Sequence, residues 1–181
     1  PENAMVYSSF TNASRITRDV FVVWMRILQA VPDSVLWLRQ SDTQAVENLR
    51  AEAQRCGIDP ARLLFAPRVA DKTEHMVRMA LADLSLDTIG WHSGHSTTNE
   101  LLCAGVPVLT ATGATFASRV GASLVIAAGL PELVARDPDT LVGARRKEGA
   151  RTHRPCLRQQ RRRSGGLLLP PAVRYVDGAS L

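Results

Sequence analysis

A doubly wound parallel α/β sheet is the fold class this sequence predicts, and three observations carry it. Short β-branched or aromatic runs alternate with longer segments of helical period from residue 4 to about residue 143. Helix caps and breakers fall between them at the right places. The stretches richest in polar and cationic groups stand at strand-to-helix turns, where sheets of this kind bind ligands.

Ala4 to Phe10 reads as the first strand. From Thr17 a helix follows, since Val20, Val23, Trp24, Ile27, Leu28 and Val31 recur along one face, Thr17 can cap the start, and Pro32 stops the run. Ser34 to Arg39 is the second strand. A polar helix from about Thr43 ends at Gly57, a residue suited to the left-handed turn after a helix, and Leu63 to Ala66 is the third strand. Asp71, with Glu74 three residues on, opens the next helix in a capping-box pattern. Leu84 to Asp87 is a buried strand; a helix from about Ser96 to Ala104, a strand at Pro107 to Thr110 and an apolar helix from Thr115 to Ala128 complete the alternation. Strands joined by helices of this length imply parallel βαβ units.

Composition narrows the class. With 45% hydrophobic and 22% charged residues, the 181-residue chain has the make-up of a soluble globular protein. No apolar run approaches the roughly 18 residues of a membrane span, and the N-terminus carries no secretion signal, so a cytoplasmic location is expected. Cys56, Cys103 and Cys156 are far apart and odd in number, which fits reduced thiols.

The net charge of +5 is unevenly placed. Residues 144–181 hold ten of the 22 basic residues and two of the 17 acidic ones, leaving twelve basic against fifteen acidic residues ahead of them. The body is therefore mildly acidic and is no nucleic-acid platform by charge. Residues 1–143 read as one folded unit. Residues 144–181, without sustained period and broken by Pro and Gly, read as a disordered or non-native tail, with a basic arm for nucleic acid as the competing reading.

Two segments carry chemistry. In the helix opened by ADKTEHMVR (70–78), Met76, Val77, Ala80 and Leu81 make the apolar stripe, which turns Lys72, His75 and Arg78 outward near the N-terminus. Unpaired N–H groups and the helix dipole favour an anion there, so the place suits a phosphate; a solvated helix face is the bland alternative. In GHSTTNE (94–100), Gly94 permits close approach, and His95, Ser96, Thr97 and the first-turn N–H groups are donors for phosphate oxygens. A simple polar cap explains the same residues. Glu100, an anion, suits ribose hydroxyls better than phosphate. Asp87 ends a strand beside this loop, a possible base but better placed to cap the loop. There is no G-x-G-x-x-G or G-x-x-x-x-G-K-[ST] loop, no HExxH and no acidic metal cluster, so no metal and no cofactor are expected.

Taken in order, FTNASRIT, VPDSVLWL, RLLFAPRVADKTEH, LADLSLDT, GHSTTNELLCAGVPVLT and GATFASRVGASL resemble the carboxyl-terminal catalytic region of the O-GlcNAc transferase family, over about Pro1 to Leu141. The resemblance implies the nucleotide-binding, second Rossmann-like half of a GT-B glycosyltransferase that moves N-acetylglucosamine from UDP-GlcNAc to protein Ser or Thr hydroxyls, with inversion. It implies Ala70 and His75 as uracil contacts, Lys72 at the diphosphate, His95, Ser96 and Thr97 as a phosphate clamp and Glu100 near the ribose. Asn12, Arg15 and Arg78 also match site positions, with Arg15 and Glu100 standing where the family has Lys and Asp. The partners it implies are a protein acceptor, a first Rossmann-like half carrying the catalytic histidine, and tetratricopeptide repeats; the chain alone is expected to hold the donor without transferring the sugar. A relative using another UDP-hexose is the nearest alternative.

Overall fold

The computed structural model describes residues 4–90 and 92–144. Six parallel strands form one sheet in the order β3-β2-β1-β4-β5-β6. They are β1 (Met5–Ser9), β2 (Ser34–Arg39), β3 (Leu63–Ala66), β4 (Leu84–Leu86), β5 (Val108–Ala111) and β6 (Val134–Ala135). Between them run α1 (Arg18–Ala30), α2 (Thr43–Arg55), α3 (Lys72–Met79), α4 (Ser96–Cys103) and α5 (Phe116–Ala127), with α6 (Pro138–Ala144) last. The alternation predicted this order, with strand ends differing by a residue or two. β6 and α6 were not predicted, because a two-residue strand squeezed between Pro131 and Pro138 has no period to read.

The connections leave β1 in one direction and β4 in the other, so the sheet reverses its winding between these two central strands. Right-handed crossovers then put α1 on one face and α3, α4 and α5, which touch in series, on the other; α6, after the last strand, packs against α1. In such sheets a crevice opens at the carboxyl ends of the strands beside the reversal.

Local chemistry explains the elements. α1 keeps its predicted Thr17 cap, which accepts from Val20 N–H, and buries Val20, Phe21, Val23, Trp24, Met25, Ile27 and Leu28 against the sheet. Each such large side chain contributes about 1.5–3 kcal/mol of burial. α2 fully buries only Ala53, as its polar sequence requires, and Gly57 takes φ +74° just after it. At the pole where the strands begin, Arg62 donates from Nε to Ser34 O (2.8 Å) and from Nη2 to Leu28 O, Val31 O and Ser34 Oγ (2.9 Å each). One guanidinium thus adds a further donor to carbonyls at the end of α1, where Leu28 O also accepts from Val31 N–H (3.2 Å) and Val31 O from Ser34 Oγ (2.6 Å).

Ala144 closes α6, and the tail predicted over 144–181 otherwise lies outside the described residues, as do Trp91 and Cys156. Cys103 lies on α4, and Cys56 caps the end of α2, both as free thiols.

Candidate functional site

The site is built at the carboxyl ends of β1, β3, β4 and β5. α3 begins with a side-chain cap: Asp71 Oδ1 accepts from Glu74 N–H at 2.7 Å. Lys72, the first helical residue, extends into solvent with its side chain 80% exposed, and its Nζ lies 3.6 Å from Glu100 Oε1 on α4. A pair this exposed contributes at most about 1 kcal/mol. Its value is geometric, because it shows that the start of α3 and the second turn of α4 face one another across the opening at the carboxyl ends of the strands.

One turn along α3 the predicted helix face needs correction. His75 and Arg78 do not point away from the protein, and Val77 and Leu81 do not pack into it: the last two are 41% and 58% exposed, while Met79 is fully buried. The cause is Phe10, at the end of β1. Its ring meets His75 edge-on at 5.7 Å and lies under the Arg78 guanidinium at 5.4 Å, so the helix turns these residues inward. Arg78 also donates to Pro67 O (2.5 Å) and from Nη2 to His75 Nδ1 (2.9 Å). Arginine can only donate, so His75 Nδ1 accepts and the imidazole proton sits on Nε2. Burial, then the neighbouring Arg78 charge, push the His75 pKa below its ordinary value, which keeps the ring neutral at pH 7.

α4 begins differently. His95 stands at its N-cap and makes no side-chain cap bond, although α1, α2, α3 and α5 all have one. The first-turn N–H groups beside exposed Ser96 and half-buried Thr97 have no capping side chain. They are open to an anion in the way helix starts favour. The His95 ring instead bonds through Nε2 to Ala117 O at 3.2 Å and stacks on His92, with centroids 4.9 Å apart.

The loop in front of α4 is fastened from below. Asp87, 6% exposed, accepts from Gly94 N–H at 2.6 Å and from the Thr110 hydroxyl at 2.7 Å. Burial pushes its pKa up to about 6 against those hydrogen bonds. With both oxygens engaged and no exposed face, Asp87 is an anchor and not a base that could reach a substrate. Ser93 adds a second tie, donating to Ala117 O (3.0 Å) and accepting from Gly121 N–H (2.9 Å).

The remaining predicted residues lie around this opening without joining it. Ala70 is exposed just before the Asp71 cap. Asn12 and Arg15 occupy the single turn after β1, where Asn12 Oδ1 accepts from Ser14 N–H at 3.2 Å. Phe10, Ser93 and Gly121 were not singled out from the sequence. Gly121 alone left a signal, an isolated glycine inside an apolar helix, which costs about 1 kcal/mol there unless close packing requires it. Among the described residues no group of three or more His, Cys, Asp or Glu could hold a metal ion.

A parallel sheet that reverses beside β1 and β4, with two helix starts converging at that end, defines a Rossmann-like α/β domain of the kind found in GT-B glycosyltransferases. The family follows from the sequence. The model of glycosyl transferase family 41 matches residues 1–163, and the chain belongs to that family. A UDP-N-acetylglucosamine--peptide N-acetylglucosaminyltransferase of Caenorhabditis elegans is 39% identical over 136 residues, 75% of this chain and 12% of that protein. An Arabidopsis thaliana protein described as a probable enzyme of the same name, SEC, is 35% identical over 130 residues, 72% of this chain and 13% of that protein. A mutant of the Thermobaculum terrenum O-GlcNAc transferase superposes with a TM-score of 0.75 at 30% identity, over 88% of this chain and 31% of that one. The chain thus spans about an eighth of the length of these curated relatives and under a third of the solved one.

Proposed function

We propose that this chain supplies the donor-binding half of a glycosyltransferase that moves N-acetylglucosamine from UDP-GlcNAc to Ser or Thr hydroxyls of a protein. The observation that carries the reading is the convergence of Lys72 and the uncapped start of α4 on one opening, bridged by the 3.6 Å contact from Lys72 to Glu100. The names of the family relatives support it.

The residues divide the donor between them. The diphosphate takes the Lys72 ammonium and the N–H groups of the α4 start, with His95, Ser96 and Thr97 around it. Glu100, released from Lys72 when the phosphates arrive, accepts from the ribose hydroxyls. The uracil lies toward Ala70 and His75, whose ring is held by Arg78. Asn12 and Arg15, on the turn after β1, come to the donor from the other side of the opening. Negative charge grows on the diphosphate as the glycosidic bond breaks, so a mobile cation and fixed N–H groups lower the barrier. These residues hold the donor without a metal or a cofactor, and none of them is given the part of general base. The catalytic histidine, the acceptor-presenting repeats and the first Rossmann-like half are assigned to the rest of a longer protein working in the cytoplasm.

Calorimetric titration of the chain with UDP tests the donor site. Saturable binding that weakens sharply in Lys72→Ala is the expected result; no binding of UDP by the folded chain overturns the reading.

A further inference from the structure

We propose that Asp87 is the positioning residue of the donor site: from beneath the loop after β4 its carboxylate fixes the Gly94–Thr97 turn that receives the diphosphate. The inference rests on the reading of that turn as the phosphate site, and it concerns a side chain that never touches the donor.

Because α4 has no side-chain cap, the direction of its first N–H groups depends on how the preceding loop is held. Asp87 holds it at the residue just before the N-cap. Oδ1 takes Gly94 N–H, Oδ2 takes the Thr110 hydroxyl from β5, and the Thr88 N–H also favours the ionised form. Two glycines make room for the carboxylate. A Cβ at Gly121 would come within 2.4 Å of Oδ2, and one at Gly94 within 3.1 Å of Oδ1 and 2.7 Å of Thr98 Oγ1. Only a backbone without side chains, on both the loop and α5, can close around the acid this tightly. The titratable group facing it is His95, with His92 stacked behind; the contacts from β5 and α5 are the uncharged Thr110 and Gly121.

A carboxylate suits the place because an ionised acceptor makes shorter and stronger bonds than a neutral one. Asn in its stead keeps the shape but sets an NH2 against one of these donors. Thr110 can turn its hydroxyl to accept; Gly94 N–H cannot turn. With its oxygen toward Gly94 and its NH2 toward Thr110, the amide puts a neutral acceptor in place of an ionised one, so it loosens the hold on the turn without opening a cavity.

Asp87→Asn in the full chain tests this, read by UDP calorimetry, by thermal melting and by the Gly94 amide proton resonance from pH 5 to 8. Three results are expected: a folded variant that melts no lower than the parent at pH 7.5, UDP binding weaker by about tenfold or more, and a Gly94 resonance that no longer titrates. In the parent that resonance should move with a midpoint near the Asp87 value of about 6. Parental affinity in the variant, or a Gly94 resonance indifferent to both pH and the substitution, overturns the proposal. If the parent itself binds no UDP, the functional reading fails, and the Gly94 and His95 resonances alone decide whether Asp87 fixes the turn. If Asp87→Asn does not fold, Thr110→Val replaces it: a displaced Gly94 resonance supports the role, and an unchanged one overturns it.

Discussion

The starts of α3 and α4 face each other across one opening, yet they are built on opposite plans. α3 is closed by its own side chain, Asp71, and offers a ligand the long, solvent-borne Lys72. α4 has no side-chain cap and offers its backbone, held in place by a buried acid just after β4. A lysine is a point charge that can follow a moving phosphate, whereas oriented N–H groups reward only the geometry they were set for. On the proposed reading, one wall of the opening attracts and the other positions.

The two largest effects expected from breaking this division, of similar size, are at Gly121 and Asp87. Gly121→Ala drives a Cβ into the Asp87 carboxylate, so the chain should lose about 2–3 kcal/mol of stability in urea unfolding. UDP binding should fall with it, because the α4 wall moves. Next is the titration of Asp87. Its folded pKa, near 6, lies above the ordinary 3.8, so its contribution to stability is fully present below about pH 4 and is lost as pH rises through 6. Relative to Asp87→Asn, the parent should lose on the order of 3 kcal/mol across that window, by chemical denaturation at each pH. Donor binding should run the other way, strengthening as the carboxylate ionises.

On the attracting wall, Lys72→Ala should weaken UDP by about 1.5–3 kcal/mol in calorimetry while leaving the melting temperature alone. An equal loss in both would mean that the lysine is structural. Asp71→Ala removes only a cap, so it should cost about 1 kcal/mol of stability and change UDP affinity less than Lys72→Ala does. The smallest effect belongs to Glu100→Gln, which breaks an exposed ion pair and should shift stability by less than about 1 kcal/mol.

Much of this was legible in the sequence, for reasons that differ by element. α1 declared itself through period and its Thr17 cap, and the order of strands and helices followed from alternation. Lys72 and Glu100 were legible as charged groups near two helix N-termini, and the structure sets them 3.6 Å apart. The orientation of α3 could not be read. Val77 and Leu81 are apolar and keep helical spacing, but the side that packs was settled by Phe10, more than sixty residues earlier in the chain. Asp87 was legible as a capping acid at a strand end, whereas its enclosure by Gly94 and Gly121 depends on β5 and α5 folding back over it. Period and local chemistry are written along the chain, whereas contacts between residues this far apart arise only when it folds.

The Arg62 clamp bears on how the molecule opens. By binding carbonyls from α1 and from the start of β2 at once, it makes their exposure a single event. Amides of β1, α1 and β2 should therefore exchange with deuterium late and nearly together. Those of the loop after β4, tied by a few bonds to Asp87 and Ser93, should exchange early. The end where the strands begin is thus the more firmly tied, and the loop after β4 is the part expected to open first.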